Sequence, residues 1–354
     1  MTTESKDTQK PQTSGKRLLL FALLFIALTA AGFYAIYDHF SNRELTFDFR
    51  LFAPEVISLT ILLLIVYFAA DGLRLYYTLR ALGYRIPKSA MAKLVFINIF
   101  FSNITPMATG GGFAQVWFLH RHGVPIGRAT AATTIRTVLA IFFIFSLTPV
   151  FLLTLPPLQN EAFISDIGGA LAVFIVLYLA FFAIVLLRAH WLIGPLSKLF
   201  HSLYKLHLIS ESRHQRWQYK ARREMLRFSR SFAEYCRGSK SAIALSVFFT
   251  AVFLISLFSF PALLMWGLGY DINYLVSLGL LVMTTFIMYF APTPGASGIS
   301  EGVFGSFFNE ILANNHLLLV TFSWRFLTIY LGMIVGLMVL QRYLVKSAHK
   351  QDVS

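Results

Sequence analysis

The sequence predicts an all-α polytopic membrane helix bundle with two oppositely oriented re-entrant hairpins and an inverted internal repeat. Three observations predict it. Of the 354 residues, 57% are hydrophobic and only 13% charged, whereas soluble domains are nearer half apolar and a quarter charged. The apolar residues, 36 phenylalanines among them, gather into runs close to the ~20 residues that a spanning helix needs. Two further runs are broken by proline and glycine at places 188 residues apart (105 to 293).

Taken in order, residues 1–17 are a polar tail with Lys6, Lys10 and Lys16, expected to be disordered and cytoplasmic. The run 18–36 is the first spanning helix. It is long for the apolar core of a signal peptide, and many spans follow it. Further runs cover 56–70, 129–155, 168–187, 242–266 and 317–340. The run 90–119 is interrupted by Asn103-Ile-Thr-Pro-Met-Ala-Thr-Gly-Gly-Gly112, and the run 274–308 by Ala291-Pro-Thr-Pro-Gly-Ala-Ser-Gly298. The spanning domain therefore covers 18–340, with a short cytoplasmic tail over 341–354.

Charge sets the sidedness. Arg74, Arg80, Arg85, Lys88 and Lys93 have no acid among them, so that connection is cytoplasmic; so are 120–128, 188–240 and the C-terminal tail. The other connections carry Asp38, Glu44, Asp48, Glu55, Glu161, Asp166, Asp271 and Glu310. These assignments agree only if each broken run enters and leaves on one face. From Ala90 to Pro106 is about 24 Å of helix, enough to penetrate a ~30 Å core without crossing it. The first hairpin opens to the cytoplasm and the second to the outside, and six full crossings remain with both termini cytoplasmic. The net charge of +14 is thus assigned to anionic lipid rather than nucleic acid. The segment 188–240 holds twelve Lys/Arg, with apolar residues at helical spacing, as in an amphipathic helix on the inner leaflet.

The two hairpin tips resemble each other. Thr105-Pro-Met-Ala-Thr-Gly110 aligns with Thr293-Pro-Gly-Ala-Ser-Gly298, and the intramembrane Arg136 with Arg325. The halves, about 56–155 and 242–340, have opposite orientation by charge, as in the inverted repeats of secondary transporters. Non-helical backbone in a membrane is tolerated only where protein buries it or water lines it. Pro106 and Pro294 each remove a donor, while Gly110, Gly111, Gly295 and Gly298 permit close or left-handed turns. A helix restarting after each break is expected to offer free N–H groups to an anion. Arg136 and Arg325 suit a phosphate through their planar fork, and their candidate partners are Glu301 and Asp71. Asp71 and Arg74 can also pair along one helix face. The candidate substrate-binding set is Arg136, Arg325, Glu301, Thr105, Pro106, Gly110, Gly111, Gln115, Thr293, Pro294, Gly295 and Gly298. His120 and His122 flank Arg121 as an interfacial basic cluster, and Cys236, the sole cysteine, excludes an intramolecular disulfide. No metal site or cofactor is expected.

The segment from Thr105-Pro through Gly110-Gly-Gly-Phe-Ala-Gln-Val-Trp-Phe-Leu-His-Arg-His-Gly-Val-Pro125, and Pro292-Thr-Pro-Gly-Ala-Ser-Gly-Ile-Ser-Glu301, resemble the signatures of a flippase-like family. That family shares the transmembrane region of lysylphosphatidylglycerol synthase, the multiple peptide resistance factor. Arg136 and Ser323-Trp-Arg325 also fit, and the resemblance covers roughly 18–340. It implies a bundle of eight-helix type that moves or accommodates lipid headgroups. The full-length synthases add a soluble aminoacyl-transferase domain, and no such domain is expected within these 354 residues, so lysyl transfer is not carried over.

The function expected is translocation of an anionic lipid in a cytoplasmic-type (inner) cell membrane: a phospholipid, an aminoacyl-phospholipid or a polyprenyl-phosphate carrier. The alternatives are a membrane-embedded transferase on lipid-linked substrates and a structural partner of a separate enzyme; a homo-oligomer is compatible with each. Single cysteines introduced as Lys88→Cys and Arg121→Cys in a Cys236→Ala background are both expected to label from the cytoplasmic side. Labelling from opposite sides would refute the topology.

Overall fold

The computed structural model of the chain describes residues 48–155 and 230–351, with isolated positions between 23 and 34, 173 and 180, and at 219 and 223. The predicted spans 18–36 and 168–187, the N-terminal tail and most of the basic segment 188–240 lie outside the described residues. Those described are helical, with no strand among them. A 3₁₀ turn, Phe49–Phe52, leads into α1 (Pro54–Ala81), followed by α2 (Lys88–Asn103), α3 (Thr109–Arg121) and α4 (Ile126–Thr154). After the interval come α5 (Lys240–Gly267), α6 (Tyr274–Met288), α7 (Ile299–Phe308), α8 (Asn314–Arg325) and α9 (Leu331–Gln351), the last two joined by a π-helical turn at Phe326–Tyr330.

Four rods are long and apolar enough to cross a membrane: Pro54–Ala81, Ile126–Thr154, Lys240–Gly267 and Asn315–Tyr343. Proline starts three helices where its missing N–H costs nothing, at the first turn of α1 and the N-caps of α2 and α4. Two helices exceed their hydrophobic runs. α1 continues past Ala70 to Ala81 and so carries Asp71 and Arg74 inside the bundle. α9 continues past Leu340 to Gln351, where Tyr343 packs on Phe118, Trp117 and His122 at the end of α3.

The broken runs fold back on themselves. Gln115 of α3 donates to Asn98 of α2, and Gly111 lies against Ser102, so these two helices are antiparallel. α6 and α7 likewise pack together. The helices pack in a matched pattern: α1 lies along α5, α2 packs on α1 and α9, and α6 packs on α5 and α4. Each broken pair therefore leans on the last long helix of the other half.

Two apolar cores occupy opposite ends. One gathers Leu75, Leu79, Met91, Phe118, Val124, Ala129, Tyr235 and Ala242. The other gathers Leu152, Phe260, Leu281, Phe304, Leu312 and Leu317. At the first end Arg128 pairs with Glu234. At the second, His316 Nε2 lies 3.3 Å from Asp48, and the Tyr270 hydroxyl meets His316 Nδ1 at 2.8 Å. The α2–α3 pair packs into the first core through Met91, Leu94, Phe118 and Leu119, and the α6–α7 pair into the second through Leu278, Leu281, Phe304 and Phe308.

Close helix approach depends on glycine, as expected where apolar helices gain little from burial away from lipid. A Cβ on Gly336 of α9 would fall 2.2 Å from the Phe96 carbonyl of α2. At Gly302 of α7 nothing lies within 4 Å of the same position. Gly336→Leu is expected to destabilise the protein by about 1–3 kcal/mol or more through overpacking against rigid backbone. Gly302→Ala should be neutral or stabilising by up to about 1 kcal/mol. Thermal unfolding in detergent measures both, and equal midpoints for the two variants would contradict the packing described.

Candidate functional site

The first break runs from Ile104 to Ala108. Its chain reverses with Met107 and Ala108 in the left-handed region, at φ 52° and 53°. Thr105 holds the turn from both sides: its hydroxyl donates to the Phe101 carbonyl at 2.7 Å and accepts from the Gly110 N–H at 2.8 Å. Gly110 and Gly111 let α3 approach α2, since a Cβ on either would collide with Thr105 or Ser102.

The second break, between Met288 and Ile299, places Gly295, Ala296 and Gly298 at positive φ. Met107, Ala108 and Ala296 are the non-glycine residues at positive φ among those described. All three lie in the tips, so strain of order 1–3 kcal/mol per residue is concentrated there. The Thr293 hydroxyl donates to the Ser297 carbonyl at 3.0 Å. Glu301 Oε2 accepts from the Gly298 N–H at 2.7 Å and from the Ser300 hydroxyl at 2.8 Å. Its Oε1 lies 2.9 Å from Arg325 Nε, while Arg325 Nη2 donates to the Gly295 carbonyl at 2.9 Å. Arg325 and Glu301 are both wholly buried.

The two tips meet in one antiparallel backbone bridge between Pro106 and Pro294. Neither proline has an N–H, so the bonds of this bridge come from the flanking residues. Beside it lies a cavity of about 670 Å³. One face of α4 lines it with Thr133, Arg136, Thr137, Ala140, Ile141 and Ile144, spaced as one helical stripe. That stripe passes from polar to apolar along its length. Arg74, Asn98, Ser102 and Gln115 face the polar part; Leu254, Leu257 and Met288 continue the apolar part.

At the polar part, one carboxylate oxygen serves two arginines. Asp71 Oδ1 accepts from Arg74 Nε at 2.8 Å, from Arg74 Nη2 at 2.5 Å and from Arg136 Nη2 at 2.5 Å. Asp71, Arg74 and Arg136 are 4%, 6% and 6% exposed, so this is a buried cluster of net charge +1. The Arg74 guanidinium also lies over the Phe253 ring, 3.7 Å from its centroid. Arg74 Nη1, Arg136 Nε and Gln115 Oε1 are buried without a hydrogen-bond partner.

The twelve candidate residues therefore divide. Arg136, Gln115, Thr293 and Gly295 line the cavity. Thr105, Gly110, Gly111, Gly298, Glu301 and Arg325 do not line it and instead build the tips; Pro106 and Pro294 join them. One expectation is corrected. The N–H groups of Thr109, Gly110, Gly111, Gly298 and Ser300, where the helices restart, are not free. The Thr109, Gly110 and Gly111 donors go to Pro106, Thr105 and Ala108, and those of Gly298 and Ser300 to Glu301 and Ala296. The chain's own turn caps them first. Both acids named as candidate partners are used: Asp71 serves Arg136 as Glu301 serves Arg325. Arg74 is the residue that sequence reasoning missed. Its signal was a second intramembrane arginine one turn from Asp71, which reads as a self-contained i,i+3 pair.

Long apolar rods enclosing two broken helical pairs, with buried charge between them, define an integral membrane protein. The chain belongs to the family of the lysylphosphatidylglycerol synthase transmembrane region, whose model matches residues 18–336. It is also similar to a UPF0104 membrane protein of Archaeoglobus fulgidus. The two are 25% identical over 327 residues, covering 92% of this chain and 96% of the relative.

The two ion-pair systems predict different responses to the same substitution. Arg325→Gln leaves Glu301 buried and uncompensated, which is expected to cost about 3–5 kcal/mol. Arg136→Gln leaves Asp71 balanced by Arg74, so the loss is nearer that of a charge-assisted hydrogen bond, about 1.5–3 kcal/mol. Chemical or thermal unfolding of both variants tests this, and an Arg136→Gln protein less stable than Arg325→Gln would refute it.

Proposed function

We propose that this protein is a flippase-like translocase that passes an anionic lipid headgroup through the cavity beside the joined tips. The observation that carries the reading is the α4 stripe. A lipid is a charged group on an apolar tail, and the stripe presents Thr133 and Arg136 at one end and Ile141 and Ile144 at the other. A surplus positive charge stands where a phosphate would sit, with unpartnered N–H groups on Arg74 and Arg136. Buried charge within a membrane is expensive and marks a substrate or ion path more often than a fold requirement. The phospholipid, aminoacyl-phospholipid and polyprenyl-phosphate classes share the phosphate chemistry that this site would bind.

The same reading makes the two broken pairs re-entrant hairpins of opposite orientation, related as an inverted repeat, in a cytoplasmic-type membrane with both termini inside. It is supported by each pair packing into the apolar core at one end of the bundle. It is also supported by the matched packing of each pair on the opposite half and by left-handed residues at corresponding places in the two tips, Met107 and Ala108 against Gly295 and Ala296. Arg80, Arg85, Lys88, Arg121 and Arg128 at the first end, and Asp48, Glu55 and Asp271 at the second, agree with positive-inside orientation.

The test is movement of a fluorescent phosphatidylglycerol across liposomes carrying the purified chain. Arg136→Gln and Arg74→Gln, folded and inserted, are expected to lose that movement at least tenfold. Arg136→Lys should keep part of it, because an ammonium retains charge without the bidentate fork. Wild-type rates in both glutamine variants would show that the arginines bind no substrate. Product formed from a lipid-linked donor would favour a transferase, and an inactive chain co-purifying with an enzyme would favour a structural partner.

A further inference from the structure

We propose that the Arg74–Asp71–Arg136 cluster holds a small inorganic monoanion, such as chloride, whenever no headgroup occupies the cavity. The inference goes beyond the lipid reading, because it rests on charge balance within the protein and treats the lipid only as a competitor.

The charge count is the first step. Both guanidiniums stay protonated in a protein, and one carboxylate stands between them. Among the residues lining the cavity there are two arginines and no carboxylate. A buried lysine in such a surplus could neutralise itself by losing a proton, but arginine cannot. The remaining relief is a counter-ion from solvent. The other buried pair provides an internal comparison: Arg325 and Glu301 balance one to one, and neither lines the cavity.

The geometry supplies the second step. Asp71 Oδ1 is already shared by both arginines, so it cannot also meet the donors that point away from it. Arg74 Nη1 and Arg136 Nε remain buried without partners. Phe253 covers one face of the Arg74 guanidinium, which leaves its edge as the open approach. A spherical monoanion suits such divergent donors because it has no directional lone-pair demand, and its single charge matches the surplus. Asn98, Ser102, Thr133 and Thr137 beside the cluster give the accompanying water its partners.

Occupation by a monoanion has a consequence for transport. A headgroup phosphate must displace the ion, so a halide should act as a competitive brake on lipid movement.

The experiment uses the full chain in a phosphate-free maltoside detergent. Thermal unfolding is compared in sodium chloride, sodium bromide and sodium gluconate at one ionic strength. Chloride and bromide are expected to raise the midpoint saturably over gluconate. The rise should vanish in Arg74→Gln and persist in Arg237→Gln, an exposed arginine outside the cluster. Anomalous scattering from bromide in crystals of the wild-type chain, which does not depend on a variant folding, should place the ion at Arg74 Nη1. An absent halide effect, one undiminished in a folded Arg74→Gln protein, or bromide bound elsewhere overturns the proposal. In liposomes, chloride should slow lipid movement relative to gluconate at low lipid fraction. Movement indifferent to the anion, with no halide stabilisation, overturns the ion site and leaves the lipid reading standing. Bromide at Arg74 in a protein that moves no lipid supports the ion site and removes the lipid reading.

Discussion

Non-helical backbone within an apolar bundle has no water to satisfy it, and the rest of this structure follows from how two such stretches are satisfied. An unpaired buried N–H or carbonyl costs free energy comparable to a lost hydrogen bond, and more in lipid. Each tip answers with its own side chains. Thr105 closes the first turn on both its carbonyl and its N–H side, and Glu301 with Arg325 closes the second. The tips then satisfy each other at Pro106 and Pro294. Strained left-handed residues persist there because surrounding contacts over-determine them.

That solution is not symmetric. The second tip is locked by a balanced ion pair with no exposed surface. The first tip needs no charge for its own turn, which leaves Arg136 free to join Asp71 and Arg74 at the cavity wall. The two arginines at corresponding chain positions thus do different work. Arg325 fixes backbone, and Arg136 adds to a positive surplus in a space large enough for a ligand. Arg74 sits seven residues from the end of α1 and Arg136 ten from the start of α4, or roughly 10–15 Å of helix, too deep for ready snorkelling to the surface.

Packing couples the two tips. Because α2 rests on α9 and α6 rests on α4, neither broken pair can shift without moving the last long helix of the opposite half. Contacts through glycine make that coupling tight: Gly336 meets the Phe96 backbone, and Gly279 of α6 meets Phe151 of α4 and Leu155 just beyond its end. The π-helical turn at Phe326–Tyr330 follows directly on Arg325. It is a local rearrangement of the helix ladder of the kind often found at functional sites.

The sequence by itself determined what depends on local composition and order along the chain. Apolar runs of spanning length, the arginine-poor and arginine-rich connections, and the proline and glycine breaks at 103–112 and 291–298 all follow from residue type and spacing. So did the membership of Arg136 and Gln115 in one region, through their place after the first break. Tertiary structure decided how polar groups were shared. The N–H groups after each break looked free because a linear reading cannot see that Thr105 and Glu301 curl back to cap them. Arg74 looked satisfied because Asp71 lies one turn away on its own helix, and only the approach of α4 to α1 makes that carboxylate oxygen serve two cations. Whether a buried charge is balanced is a sum over neighbours in space, which the order of residues along the chain does not contain.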